Sequence, residues 1–158
     1  MRLKVAAIVV IALAAALAPI AASAQEGNSF VAKHSGKCLD VAGASKDDGA
    51  SVIQWGCHGG PNQQWYFDNI PGTSWGFIRV THSRKCLSVV AGRNVIQSTC
   101  ENHNEQLWQI IALGGDYEEI RDIQGRCLDV AFGFTADGAT TIVWTCHNTD
   151  NQRWRVRG

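Results

Sequence analysis

From residue 29 onward the chain is written in short runs of apolar and β-branched residues cut by turn-forming clusters. SFVAK (29–33), CLDVA (38–42), SVIQW (51–55) and QQWYF (63–67) alternate with the clusters SGK, KDDG and GGPN. Runs of this length and type, bounded by Gly, Pro, Asn, Asp and Ser, predict strands joined by tight turns. No segment keeps apolar residues at helical spacing for three turns, so the pattern predicts an all-β chain. The first 24 residues follow another rule: Arg2 and Lys4, an unbroken apolar run from Val5 to Leu17, then Ala22, Ser23 and Ala24. A charged start, a short apolar stretch and a small-residue cleavage site describe a signal peptide. The run is too short for a bilayer, which needs about 20 apolar residues. An exported chain beginning at Gln25, secreted or periplasmic, is expected.

The strand pattern repeats. With Cys38, Cys86 and Cys127 aligned, a second Cys follows at 57, 100 and 146, and a Gln-x-Trp at 63–65, 106–108 and 152–154. The step from second Cys to Trp is eight residues in every copy, and the period is 41 to 48 residues. Four strands in each of three copies make twelve. A propeller of three blades would leave its ring unfilled, since blades number about four to eight. An irregular sandwich does not account for the repetition. The expected architecture is a pseudo-threefold barrel closed by a hairpin cap, the β-trefoil, with repeats at about 28–67, 77–110 and 117–156.

Composition narrows the function. Without Arg2 and Lys4, 12 basic and 14 acidic side chains remain, a net charge of −2, and no cluster of Lys and Arg stands ready to neutralise phosphates. Nucleic acid and anionic membrane surfaces are therefore not expected partners, and membrane insertion is not expected. The 134 residues left from 158 are one domain's worth. All six cysteines lie in this part, and an exported protein keeps disulfides. Among the possible pairings the repeat favours the local ones, Cys38–Cys57, Cys86–Cys100 and Cys127–Cys146. A zinc site from Cys57-His58 and Cys146-His147 lacks the close CxxC spacing of such sites, and no metal or cofactor is expected.

The repeated CLDV, DGA, W-x-C-H and NQ-x-W elements resemble the ricin-type β-trefoil lectins across essentially the whole mature chain, about residues 28–157. In that family the positions of Asp40, Trp55, Asn62 and Gln63, and of Asp129, Trp144, Asn151 and Gln152, form galactoside pockets. The three copies also serve as an internal comparison. Present in all three are the Cys pairs, Leu39, Leu87 and Leu128, Val41, Val89 and Val130, and the Gln and Trp of Gln-x-Trp. These residues are expected to build the fold, the Gln amides satisfying backbone groups where copies meet. Copies one and three share a second set that copy two lacks. Asp40 and Asp129 face Ser88, Trp55 and Trp144 face Ser98, Asn62 and Asn151 face Glu105, and His58 and His147 face Glu101. Copy two also loses five loop positions, including the Asp-Gly turn of KDDG and TADG.

Sugar chemistry makes that set a unit. A carboxylate accepts from two vicinal hydroxyls, an Asn amide both donates and accepts, and a flat aromatic covers the C–H face of a pyranose. Two sugar sites are expected, in copies one and three, with the Asp-Gly loops tuning preference and His58 and His147 as polar rims. The glycan would be galactose, N-acetylgalactosamine or xylan-like. An Asp after Cys-Leu can instead cap a turn and a Trp near a disulfide can be core. Glu101 and Glu105 can also give copy two another ligand. Catalysis is not expected, because glycosidase carboxylates sit about 5 to 9.5 Å apart while these belong to different lobes, and the Cys residues are better used as bridges than as nucleophiles. A protein-binding trefoil, or a targeting module for a separate glycosidase or toxin chain, are the alternatives.

Overall fold

The computed structural model describes residues 27–158, so the expected leader lies outside the described residues. The first repeat contributes β1 (Ser29–Ala32), β2 (Cys38–Val41), β3 (Val52–Trp55) and β4 (Trp65–Asn69). The second contributes β5 (Gly76–Val80), β6 (Cys86–Val90), β7 (Asn94–Ser98) and β8 (Trp108–Ala112). The third contributes β9 (Glu118–Asp122), β10 (Cys127–Val130), β11 (Thr141–Trp144) and β12 (Trp154–Arg157). Among the described residues the only helical pieces are single 3-10 turns. One of them corrects a predicted boundary. Gln63 belongs to the turn Pro61–Gln63, and the strand begins at Trp65, because the Gln63 side chain folds back to bond its own repeat.

First and last strands of each repeat form the barrel. β1 pairs with β12, β12 with β9, β9 with β8, β8 with β5 and β5 with β4, and the bridge Asn28↔Trp65 closes the ring. Middle strands form the hairpins β2–β3, β6–β7 and β10–β11, which meet one another through Ser51↔Ile96, Ile53↔Thr140 and Ile142↔Asn94. This is the β-trefoil expected from the threefold repetition.

Its core repeats as well. Trp65, Trp108 and Trp154 are fully buried beside Leu39, Leu87 and Leu128. Each indole N–H donates to the carbonyl of that Leu, at 2.9, 2.8 and 3.0 Å. A buried Trp supplies a large apolar surface only if its one donor is satisfied, and the hairpin backbone does this in every repeat. The disulfides are the local ones, closing loops of 19, 14 and 19 residues. Loops of that size constrain the unfolded chain by about 3 kcal/mol each. With all six cysteines bridged, no thiolate is free for zinc among the described residues.

The repeats are joined by the Asp-Gly loops. Fully buried Gln54 donates to the carbonyls of Phe134 (2.7 Å) and Ala136 (2.9 Å), so the third repeat's loop lies over the first repeat. Gln97 likewise donates to Ser45 (2.8 Å) and Asp47 (2.9 Å), fastening the first repeat's loop to the second. Asp137 accepts from the Gly56 N–H and pairs with Lys37, and Asp48 accepts from the Thr99 N–H and pairs with Lys85. The matching place in the third repeat holds Val143, whose N–H meets Arg93 O at 2.8 Å. The second repeat's loop is the short one, and its neighbour carries an apolar side chain where an amide would have no carbonyls to serve.

Candidate carbohydrate-binding site

Three local choices bring the first site together. Asp40 lies opposite Ile53 across the hairpin, so Asp40, Ile53 and Trp55 share one face of a sheet whose side chains alternate. Trp55 ends β3 with 44% of its surface exposed, whereas Asp40 is 3% exposed. Pro61 starts the 3-10 turn, where its fixed φ and missing N–H fit, and the turn drops Asn62 and Gln63 beneath the carboxylate.

Hydrogen bonds separate positioning groups from accessible ones. Gln63 Nε2 donates to Asp40 Oδ2 (2.8 Å) and to Gly56 O (3.0 Å), while its Oε1 accepts from the His58 N–H (2.8 Å). Asn62 Nδ2 donates to Asp40 Oδ2 (3.1 Å) and Val41 O (3.3 Å). His58 Nε2 stands 3.5 Å from Asp40 Oδ2 at the rim. The third repeat matches. Gln152 Nε2 meets Asp129 Oδ2 at 2.7 Å, Asn151 Nδ2 meets Oδ1 at 3.0 Å, and Gln152 Oε1 accepts from His147 N at 2.8 Å. Burial pushes both carboxyls above the usual aspartate range, and the amide donors, with His58 or His147 nearby, only partly offset it.

The predicted residues therefore assemble in two places, Asp40, Trp55, Asn62 and Gln63 in one and Asp129, Trp144, Asn151 and Gln152 in the other. Gln63 and Gln152 are fully buried, which makes them supports of the carboxylates. The expectation that the Gln of Gln-x-Trp works where copies meet is corrected: its bonds stay within its own repeat, and Gln54 and Gln97 join repeats instead. Gln106 behaves like its counterparts, with Oε1 accepting from Glu101 N, but its Nε2 meets Ser88 Oγ (3.0 Å) and Ser98 Oγ (2.9 Å). The two serines bond each other at 2.6 Å. In the second repeat, small hydroxyls satisfy one another where a carboxylate and an indole stand elsewhere.

Two features escaped the sequence reading. The Asp-Gly turns do not line the pockets. A cavity of about 400 Å³ in the first repeat is walled by Asp40, Ile53, Trp55, His58, Asn62 and residues 42–44. A larger one, about 470 Å³, lies at Asp129, Trp144, His147 and Asn151 and also takes in Phe132 from its own repeat and Arg93 and Asn94 from the second. Phe132 is 85% exposed and holds φ of 58°, where the first repeat has Gly43 at 62°. A bulky residue in left-handed backbone is uncommon, and the signal for it was readable only by aligning Phe132 with Gly43.

The ricin-type beta-trefoil lectin domain family matches residues 27–154. The chain belongs to that family, whose domain is a carbohydrate-binding module and typically non-catalytic. Its structure resembles the designed threefold-symmetric protein ThreeFoil with a TM-score of 0.80 and 39% identity, over 83% of this chain and 97% of that one. The ricin B-like lectin of Macrolepiota procera, solved in complex with lactose, shares the fold with a TM-score of 0.70 at 22% identity, covering 86% and 96%. Probable lipoprotein EnvE of Salmonella typhimurium is 34% identical over 70 residues, 41% of this chain and 37% of that relative's length.

Proposed function

We propose that this is an exported lectin with two sugar sites of galactoside or xylan type, in the first and third repeats, and a closed site in the second. The observation that carries the reading is the same constellation built twice: a buried, amide-held carboxylate beside a half-exposed Trp. The carboxylate is oriented before a sugar arrives, so little ordering opposes binding. Lactose held by the M. procera lectin favours a galactoside here. Three disulfides and likeness to a probable lipoprotein support export.

Few direct contacts and the desolvation of hydroxyls set single-site affinity on the order of 0.1 to 1 mM, about −4 to −5.5 kcal/mol. Two sites on one rigid body then raise retention on a glycan surface. Calorimetric titration with lactose should give two sites per chain, one after Asp40→Ala or Asp129→Ala, and none after both. Undiminished binding by a folded double variant defeats the assignment. A glycan array on the mature chain would identify the preferred sugar.

A further inference from the structure

The two pockets also differ at a residue that belongs to neither repeat's own motif. The N–H groups of Gln54, Gln97 and Val143 meet the carbonyls of Ala139, Ala50 and Arg93, so these three residues occupy equivalent places. Beside the first pocket that place is Ala139, buried under the Asp-Gly loop of the third repeat. Beside the third pocket it is Arg93, exposed because the second repeat's loop is short.

Arg93 lines the cavity with Asp129, Phe132 and Trp144, and its guanidinium carbon is 5.6 Å from the Trp144 ring centre. Every ion pair among the described residues uses another cation. Nearby Arg126 is held by Asp122, so of these two neighbouring arginines it is Arg93 whose charge faces a ligand without a carboxylate partner. Asp129 pairs with Ile142, and Ile142 with Asn94. Two strand spacings, roughly 10 Å, therefore separate the backbone at the hydroxyl-gripping carboxylate from that beside Arg93. A sugar ring with its substituent spans that gap, and Trp144 lies between.

We propose that Arg93 gives the third-repeat pocket an anion-accepting subsite, so that it prefers glycans bearing a carboxylate or sulfate ester next to the sugar gripped by Asp129. This rests on the two-site lectin reading. A guanidinium donates in a planar fork suited to either anion, whereas the first pocket has an alanine there.

Trp55→Ala, a change at an exposed residue, isolates the third site for titration with lactose, sialyllactose and sulfated lactose. At low salt the anionic ligands should bind about three- to fivefold tighter than lactose, the range of one exposed charge contact. The ratio should fall to about one with Arg93→Ala or with added salt, and below one with Arg93→Glu. A gain with sialyllactose alone assigns the carboxylate, and one with sulfated lactose alone assigns the sulfate. Equal affinity for lactose and both anionic ligands overturns the subsite and leaves the lectin reading standing. Failure of all three ligands to bind overturns the subsite and the galactoside form of the lectin reading.

Discussion

The second repeat and its two neighbours share one skeleton and differ in the side chains it carries. All three have a buried Trp bonded to a Leu carbonyl and a Gln whose Oε1 accepts from the residue after the second Cys. In the first and third repeats the Gln amide supports a carboxylate; in the second it supports two serines. The same hydrogen-bond frame thus serves a pocket or a closed patch, which separates what holds the barrel from what lines a pocket.

The strongest way to break this comparison is to attack the shared frame. Trp108→Ala, in the repeat without a pocket, should lose about 3–5 kcal/mol, as much as Trp65→Ala, because both indoles are wholly buried. Urea denaturation measures both, and a tolerant Trp108 would show that the second repeat is not an equal structural partner. Next come the amides. Gln63→Ala and Gln106→Ala should each lower stability by about 1–3 kcal/mol by stranding buried partners, yet only Gln63→Ala should weaken sugar binding. Equal effects of the two variants on lactose titration would undo the distinction.

Phe132→Gly tests the third repeat against the first, where Gly43 holds the same backbone. Relief of left-handed strain should add about 1 kcal/mol and raise Tm by about 3–6 °C, read by calorimetry. Reduced affinity at the third site alongside that gain would mark Phe132 as strain kept for ligand contact.

Acidity offers the gentlest separation. The raised carboxyls of Asp40 and Asp129 take up protons above the ordinary 3.8, so their acceptor role fades in mildly acidic solution. Their ionised forms disfavour folding, and protonation relieves that penalty as pH falls through the raised values. Asp48 and Asp137 behave oppositely. Their Lys85 and Lys37 partners hold them below 3.8, and the modest support these exposed pairs give is lost only on further acidification. Lactose binding should therefore disappear at a higher pH than the folded signal in circular dichroism, and simultaneous loss would contradict the shifts.

Much of this was legible along the chain because repetition is local information. Strand length, turn residues, Cys pairing within each copy and the joint loss of Asp, Trp and Asn from copy two are visible in the sequence, and each corresponds to a feature of the fold or of the two pockets. The loops were misread for a physical reason. KDDG and TADG vary together with the pocket residues, but their carbonyls serve amides of the next repeat, such as Gln54 and Ala136, 82 positions apart. Motif spacing describes a hairpin and what it carries; which neighbouring hairpin it leans on is fixed only when the barrel closes. Closure put Arg93 beside Trp144 and Ala139 beside the first repeat, and so made two pockets with the same motif unequal.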